Sequence, residues 1–149
     1  MRIYMTVGRG DGPTALAAFD NAMYDAKVGN YNLLHLSSVI PPYSTIEKAP
    51  FVGEPKDYGD RLYVVMAHRT ETEKGKWAWA GLGWTQDAAD RRGLFVEQSE
   101  SSEEAVRTNT VLTLQSLMDR RPYTYGSIHT ENAGIECTGV PVCVMVVAA

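Results

Sequence analysis

Cysteine, histidine, basic charge and unbroken apolar sequence are all scarce in this chain. Only two of its 149 residues are cysteine, Cys137 and Cys143. They permit one bridge at most, and a chain of this length can build a core without it. Two thiols with no histidine nearby in sequence also make a poor zinc site, so both are read as buried thiols. The three histidines, His35, His68 and His129, are widely separated, and none has the i, i+4 spacing of a helical metal site. No metal is expected. Lys and Arg number 14 against 18 Asp and Glu, a net charge of −4. Nucleic acid and membrane are therefore not expected as partners, because nucleic acids and anionic lipid surfaces are bound by concentrated Lys and Arg. The longest apolar stretch, Val140 to Ala149, is too short to span a bilayer and is broken by Pro141. Met1 to Val7 alternates like a strand and lacks the apolar block of a signal peptide, so a cytoplasmic location is expected.

What is present is an ordinary globular composition, 44% hydrophobic and 21% charged, of a length that fits one domain. After the Met1–Val7 strand, Gly8-Arg9-Gly10-Asp11-Gly12-Pro13 is read as a turn that starts a helix, with Pro13 in its first turn. From Thr14 to Lys27, Leu16, Phe19, Met23 and Ala26 recur at helical spacing and predict the buried stripe; Gly29 is placed to stop the helix. A strand over Tyr31–Leu36 runs into Ser37-Ser38-Val39-Ile40-Pro41-Pro42, and the stretch from there to Asp60 reads as an irregular loop.

Extended runs follow at Leu62–Arg69, Trp77–Trp84 and Gly93–Ser99, whose short connections predict an antiparallel meander. Ser101 and Glu104 have the spacing of a capping box, before a helix ending near Pro122 with Val111, Leu114 and Met118 as its buried face. Strands around Tyr125–Glu136 and Val140–Val147 are expected to pair as a hairpin turned at Thr138-Gly139. Two helices and about seven strands make the fold class α+β.

Taken alone, few residues announce chemistry. The glycine run lies where backbone amides cradle phosphate, but its spacing is neither a P-loop nor a dinucleotide fingerprint, so a tight turn is the better reading and nucleotide binding the alternative. Trp77, Trp79 and Trp84 are read as core or subunit contact. Ser37-Ser38 places two hydroxyls where a strand meets a proline pair; on base rates that is a strand-end feature.

The surrounding residues change that balance. Ala18-Phe19-Asp20-Asn21-Ala22, then Gly29-Asn30-Tyr31-Asn32-Leu33-Leu34-His35-Leu36-Ser37-Ser38-Val39-Ile40-Pro41-Pro42, resemble the pyruvoyl-dependent arginine decarboxylases. Gly93-Leu94-Phe95-Val96-Glu97 is similar to the family segment that carries its catalytic glutamate, and Gly134 to Cys143 to its closing hairpin. An alternative register puts Gly83 at the glutamate position. Trp77–Trp84 resembles an extra segment of bacterial members.

The resemblance implies a four-layer αββα sandwich of largely antiparallel sheets, assembled as trimers or hexamers with sites at subunit interfaces. It implies self-cleavage between Ser37 and Ser38, giving a β chain 1–37 and an α chain 38–149. The cofactor it implies is a pyruvoyl group made covalently from Ser38, without a metal. L-arginine is the implied substrate, with agmatine and CO2 as products. Within that scheme Ser38 attacks the Ser37 carbonyl, Asn32 donates to the oxyanion, Glu97 supplies a proton from a partly buried carboxyl, and Asp20 receives the guanidinium. Decarboxylation of another amino acid, or a binding homologue that never matures, stays open as an alternative.

Overall fold

The molecule was analysed as a computed structural model that describes residues 1–149. Nine strands and two helices run in the order β1 (Arg2–Asp11), α1 (Ala15–Asp25), β2 (Asn32–His35), β3 (Val39–Ile40), β4 (Thr45–Lys48), β5 (Arg61–Glu71), β6 (Trp77–Gln86), β7 (Gly93–Glu100), α2 (Glu103–Asp119), β8 (His129–Glu136) and β9 (Val142–Ala148). One sheet has the order β2-β5-β9-β1-β4, the other β3-β7-β6-β8. The second is antiparallel throughout; in the first, the two edge strands β2 and β4 join in parallel. α1 lies on the first sheet and α2 on the second. This is a four-layer αββα sandwich.

Alternation along the strands sorts side chains into three cores. Val65, Ala67, Val144, Val146, Leu82, Trp84 and Phe95 fill the space between the sheets. Val64, Met66, Met145 and Val147 face α1, while Leu94 and Val96 meet Leu114 of α2. Each large apolar side chain taken fully out of water contributes about 1.5–3 kcal/mol, so these layers hold the sandwich.

The glycine run is not a turn. β1 continues through it to Asp11, paired residue for residue with β9 from Met5↔Ala148 to Asp11↔Val142. A Cβ at Gly8 would sit 2.1 Å from the Ala22 carbonyl oxygen, and one at Gly10 2.3 Å from the Ala22 nitrogen. The missing side chains let α1 lie directly on the strand. That explains why the buried stripe of α1 is Ala18 and Ala22, whereas Leu16, expected inside, is 75% exposed. It also removes the nucleotide reading: this backbone is committed to β9 and faces a helix, with the Arg9 N–H donating to Asp25 Oδ2.

Other expectations shift by smaller amounts. Pro13 precedes the cap, which is Thr14, whose hydroxyl accepts from Ala17 N. α1 ends at Asp25, four residues before Gly29: Lys27 takes the left-handed conformation at φ 68°, and the Val28 N–H reaches back to the Met23 carbonyl. The cap of α2 is Ser102 rather than Ser101; its buried face is Val106, Thr110 and the expected Leu114, with Met118 packed beside it, whereas Val111 is exposed. The supposed loop to Asp60 contains β4 and a turn of 3-10 helix at Pro55–Asp57. β5 is not part of a meander, since it pairs with β2 and β9 while β6 and β7 belong to the other sheet. Likewise β8 and β9 form no hairpin: β8 pairs with β6, and the chain crosses between sheets before β9.

Two rims of the sandwich are built differently. At one, Lys48 Nζ of edge strand β4 meets Glu131 Oε2 of edge strand β8 at 2.5 Å and lies 5.8 Å from the Trp84 ring centroid, which stacks on His129. At the other, the chain itself passes from edge strand β2 to edge strand β3 of the opposite sheet through Leu36, Ser37 and Ser38. No helix is long and apolar enough to cross a membrane.

Candidate active site

The crossover is held from both sheets. The Leu36 N–H donates to the Val64 carbonyl at 2.8 Å, and the Ser38 carbonyl accepts from Phe95 N at 3.0 Å. Between these anchors the Ser37 carbonyl accepts the Val39 N–H at 2.9 Å, closing a three-residue turn around Ser38. Ser37 is exposed and Ser38 half-buried.

Ser38 Oγ lies 3.5 Å from Glu97 Oε2. Sheet geometry brings them together: β3 pairs with β7 at Val39↔Leu94 and Ile40↔Gly93, which sets Ser38 beside Phe95 and the carboxylate two residues further along. Phe95 and Glu97 project from the same face of β7, Phe95 into the core between the sheets. Glu97 is exposed in the chain, contrary to the partial burial expected of it. β3 is only two residues long, so nothing covers the β7 edge beside Glu97. Gly83, the alternative position, sits under α2 where a Cβ would meet Thr110 Cγ2.

Asn32 is not beside the Ser37 carbonyl. It begins β2, five residues upstream, and its Nδ2 donates to the Gly59 carbonyl at 2.6 Å. With a strand rise of roughly 3.3 Å per residue, its amide does not reach the crossover within the same chain. Asp20 is on the exposed side of α1, and the chain gives its carboxylate no hydrogen bond or ion pair. Thus Ser37, Ser38 and Glu97 meet within one chain, whereas Asn32 and Asp20 do not join them.

What residue-type reasoning missed is the Val39 N–H, a backbone donor with no signature in the sequence. It also missed a cavity of about 600 Å3 between the α1–β2 connection and residues 50–58, walled by Tyr24, Tyr31, Phe51 and Tyr58 and separate from Ser38. His35 and His68, far apart in sequence, lie on the neighbouring strands β2 and β5, and partial burial against Phe19, with His35 close by, lowers the His68 pKa. Cys137 and Cys143 are buried free thiols; burial raises the pKa of Cys143. Trp77 and Trp79 stack with centroids 5.9 Å apart, and Trp84 points to the opposite face of β6, into the core between the sheets.

The fold and site together define an αββα sandwich that carries a serine pair at the crossover between its sheets and a carboxylate beside the second hydroxyl. Residues 2–136 match the family model of the pyruvoyl-dependent arginine decarboxylases. The chain belongs to that family. It is 39% identical over 102 residues to the pyruvoyl-dependent arginine decarboxylase of Halobacterium salinarum, covering 68% of this chain and 62% of that relative. For the protein of the same name from Methanothermobacter thermautotrophicus the identity is 30% over 123 residues, 81% of this chain and 78% of the relative. With that of Thermococcus kodakarensis it is 37% over 112 residues, 71% and 69%. The chain thus spans under two thirds of the length of the Halobacterium relative.

The residues at the crossover fit a pyruvoyl group. Such a group is made from a serine's own backbone and needs no separate cradle, only a hydroxyl beside the preceding carbonyl and a held carbonyl after it. Ser38 carries the hydroxyl next in the chain to the Ser37 carbonyl, and its own carbonyl is held by Phe95 N.

Proposed function

We propose that this protein cuts itself between Ser37 and Ser38 and then decarboxylates L-arginine to agmatine and CO2. The observation that carries the proposal is the Ser38 hydroxyl, placed 3.5 Å from Glu97 Oε2 on a crossover anchored to both sheets. Ser38 Oγ attacks the Ser37 carbonyl, turning the peptide bond into an ester. Loss of the Ser38 Cα proton expels Oγ with the Ser37 acyl group, leaving Ser37 as a carboxylate and residue 38 as dehydroalanine. Water then replaces its nitrogen, which leaves as ammonia. The products are chains 1–37 and 38–149.

The pyruvoyl group supplies an electron sink for the electrons released as CO2 departs. Glu97 is on hand to give a proton to the substrate carbon, because its carboxyl already contacts the residue 38 side chain. Asp20 accepts the guanidinium, whose planar donors match a carboxylate in a bidentate pair. Since Asp20 and the Ser38–Glu97 pair do not meet in one chain, a second copy completes the site. Exposed Leu34, Leu36, Val39 and Tyr63 around the crossover support that association, in a trimer or hexamer. Two free cysteines fit a reducing, cytoplasmic setting.

The test is a denaturing intact-mass spectrum before and after phenylhydrazine, followed by CO2 release from arginine and other basic amino acids. Two chains, 1–37 and 38–149, with only the larger gaining one hydrazone, are expected. A single unmodified chain after prolonged incubation overturns the proposal.

A further inference from the structure

When Ser38 Oγ adds to the Ser37 carbonyl, negative charge develops on one atom, the Ser37 oxygen. We propose that the backbone N–H of Val39 is the donor that stabilises this oxyanion, a role that rests on the self-cleavage reading above. The hydrogen bond already exists in the uncut chain at 2.9 Å. Ser38 is not among the residues with positive φ, so the turn is the unstrained, inverse form. A donor fixed in place before reaction needs no reorganisation when the charge appears.

The sheet explains why this N–H is free for the task. Val39 faces Leu94 in register, and the neighbouring Ser38 carbonyl takes the Phe95 N–H. Hydrogen-bonding positions alternate along an antiparallel pair, so the Val39 N–H points away from β7 and back onto Ser37. On the other side, Leu36 N–H to Val64 O fixes the approach to Ser37 from the opposite sheet. The Val39 side chain is 61% exposed, so the residue acts through its backbone. The alternative donor, the Asn32 amide, is occupied by Gly59 in the same chain.

The step is an isomerisation and balances without a co-reactant. The Oγ–C bond to Ser37 forms and the carbonyl π pair moves to oxygen, where Val39 N–H holds it. As the pair returns, the bond from the Ser37 carbon to the Ser38 nitrogen breaks. The proton lost by Oγ ends on that nitrogen, now a free amine.

The experiment follows the appearance of 1–37 and 38–149 by denaturing mass spectrometry from freshly purified full chain. Val39→Pro removes the N–H without removing a bond to β7 and is expected to slow cleavage by roughly 10²–10³-fold, the usual loss of one oxyanion donor. Val39→Ala and Val39→Ile, which keep the N–H, stay within about threefold of the parent. Because proline also stiffens the chain, the same amide is replaced by an ester with 2-hydroxyisovaleric acid at residue 39, with circular dichroism and melting checked for both; the ester is expected to reproduce the proline loss. Hydroxylamine, which cuts an ester, should find none at 37–38 in Val39→Pro, placing the block before the acyl shift. Parent-like cleavage of both altered backbones, or an accumulated 37–38 ester in Val39→Pro, overturns the proposal, as does slow cleavage confined to Asn32→Ala. A parent chain that never cuts refutes the self-cleavage reading itself.

Discussion

Ser38 and Glu97 stand 59 positions apart in the chain, yet Oγ and Oε2 meet at 3.5 Å. The meeting depends on a two-residue strand: Val39 and Ile40 dock on Leu94 and Gly93, and this register alone aims the serine at the carboxylate. A one-residue slip of β3 would turn the Ser38 side chain to the α2 face of the sheet, away from Glu97, which β6 holds in place.

Replacing Glu97 by Gln keeps the size and removes the proton. In Glu97→Gln, arginine-dependent CO2 release is expected to fall by roughly 10²–10⁴-fold relative to the parent. Fragment masses measured on the same sample show how much of the protein has been cut. A fully cut variant with parental turnover would remove Glu97 from the chemistry.

Asp20→Asn tests substrate choice apart from maturation. The two chains should form at the parental rate, whereas kcat/KM for arginine drops by about 30-fold or more, the loss of one side of a desolvated charge pair. Equal activity of both proteins toward arginine would send the search for the guanidinium partner elsewhere.

Gly10→Ala inserts a methyl 2.3 Å from the Ala22 nitrogen and 2.5 Å from the Ala18 oxygen, both of them backbone. α1 has to lift from β1, at about 1–3 kcal/mol. Thermal unfolding should show a midpoint several degrees lower, at about 2–4 °C per kcal/mol for a chain of this size. An unchanged midpoint would contradict the close seating of the helix.

His68 gives the stability a pH dependence with a definite sign. Partial burial, and secondarily His35, lowers its folded pKa below the ordinary histidine value of about 6.5. The unfolded chain therefore takes up the proton first as pH falls. This contribution is complete above about pH 6.5, declines as pH drops from there toward the folded value, and levels off below it. Melting curves between pH 7 and 5 should lose fewer degrees in His68→Gln than in the parent; identical slopes would rule the histidine out.

Much of the fold was legible because the signals were local. The helical spacing between Thr14 and Lys27, the extended run Leu62–Arg69 and the apolar run Val140–Val147 locate elements within a few residues of where they lie. Gly8 and Gly10 misled for a physical reason: glycine marks either freedom to turn or room for a neighbour, and only the arrival of Ala18 and Ala22 tells which. Thr138-Gly139 has the same ambiguity, since a tight turn serves a hairpin and a passage between sheets equally. β4 is four residues among prolines and owes its existence to a distant parallel partner, Arg2 to Met5. At the site, Ser37, Ser38 and Glu97 were legible through resemblance. The reach of Asn32 and the direction of the Val39 N–H depend on strand register, which residue types do not encode.

The place of β1 has one more consequence. It lies inside its sheet, paired on one side with β9 and on the other with β4, both of which come from beyond residue 38. Once the bond between the serines is gone, the molecule is a two-part heterodimer whose parts share one sheet, and its unfolding becomes a dissociation. Dilution then lowers its melting temperature more steeply than that of an uncut Ser38→Ala chain, which releases one part fewer per protomer on unfolding.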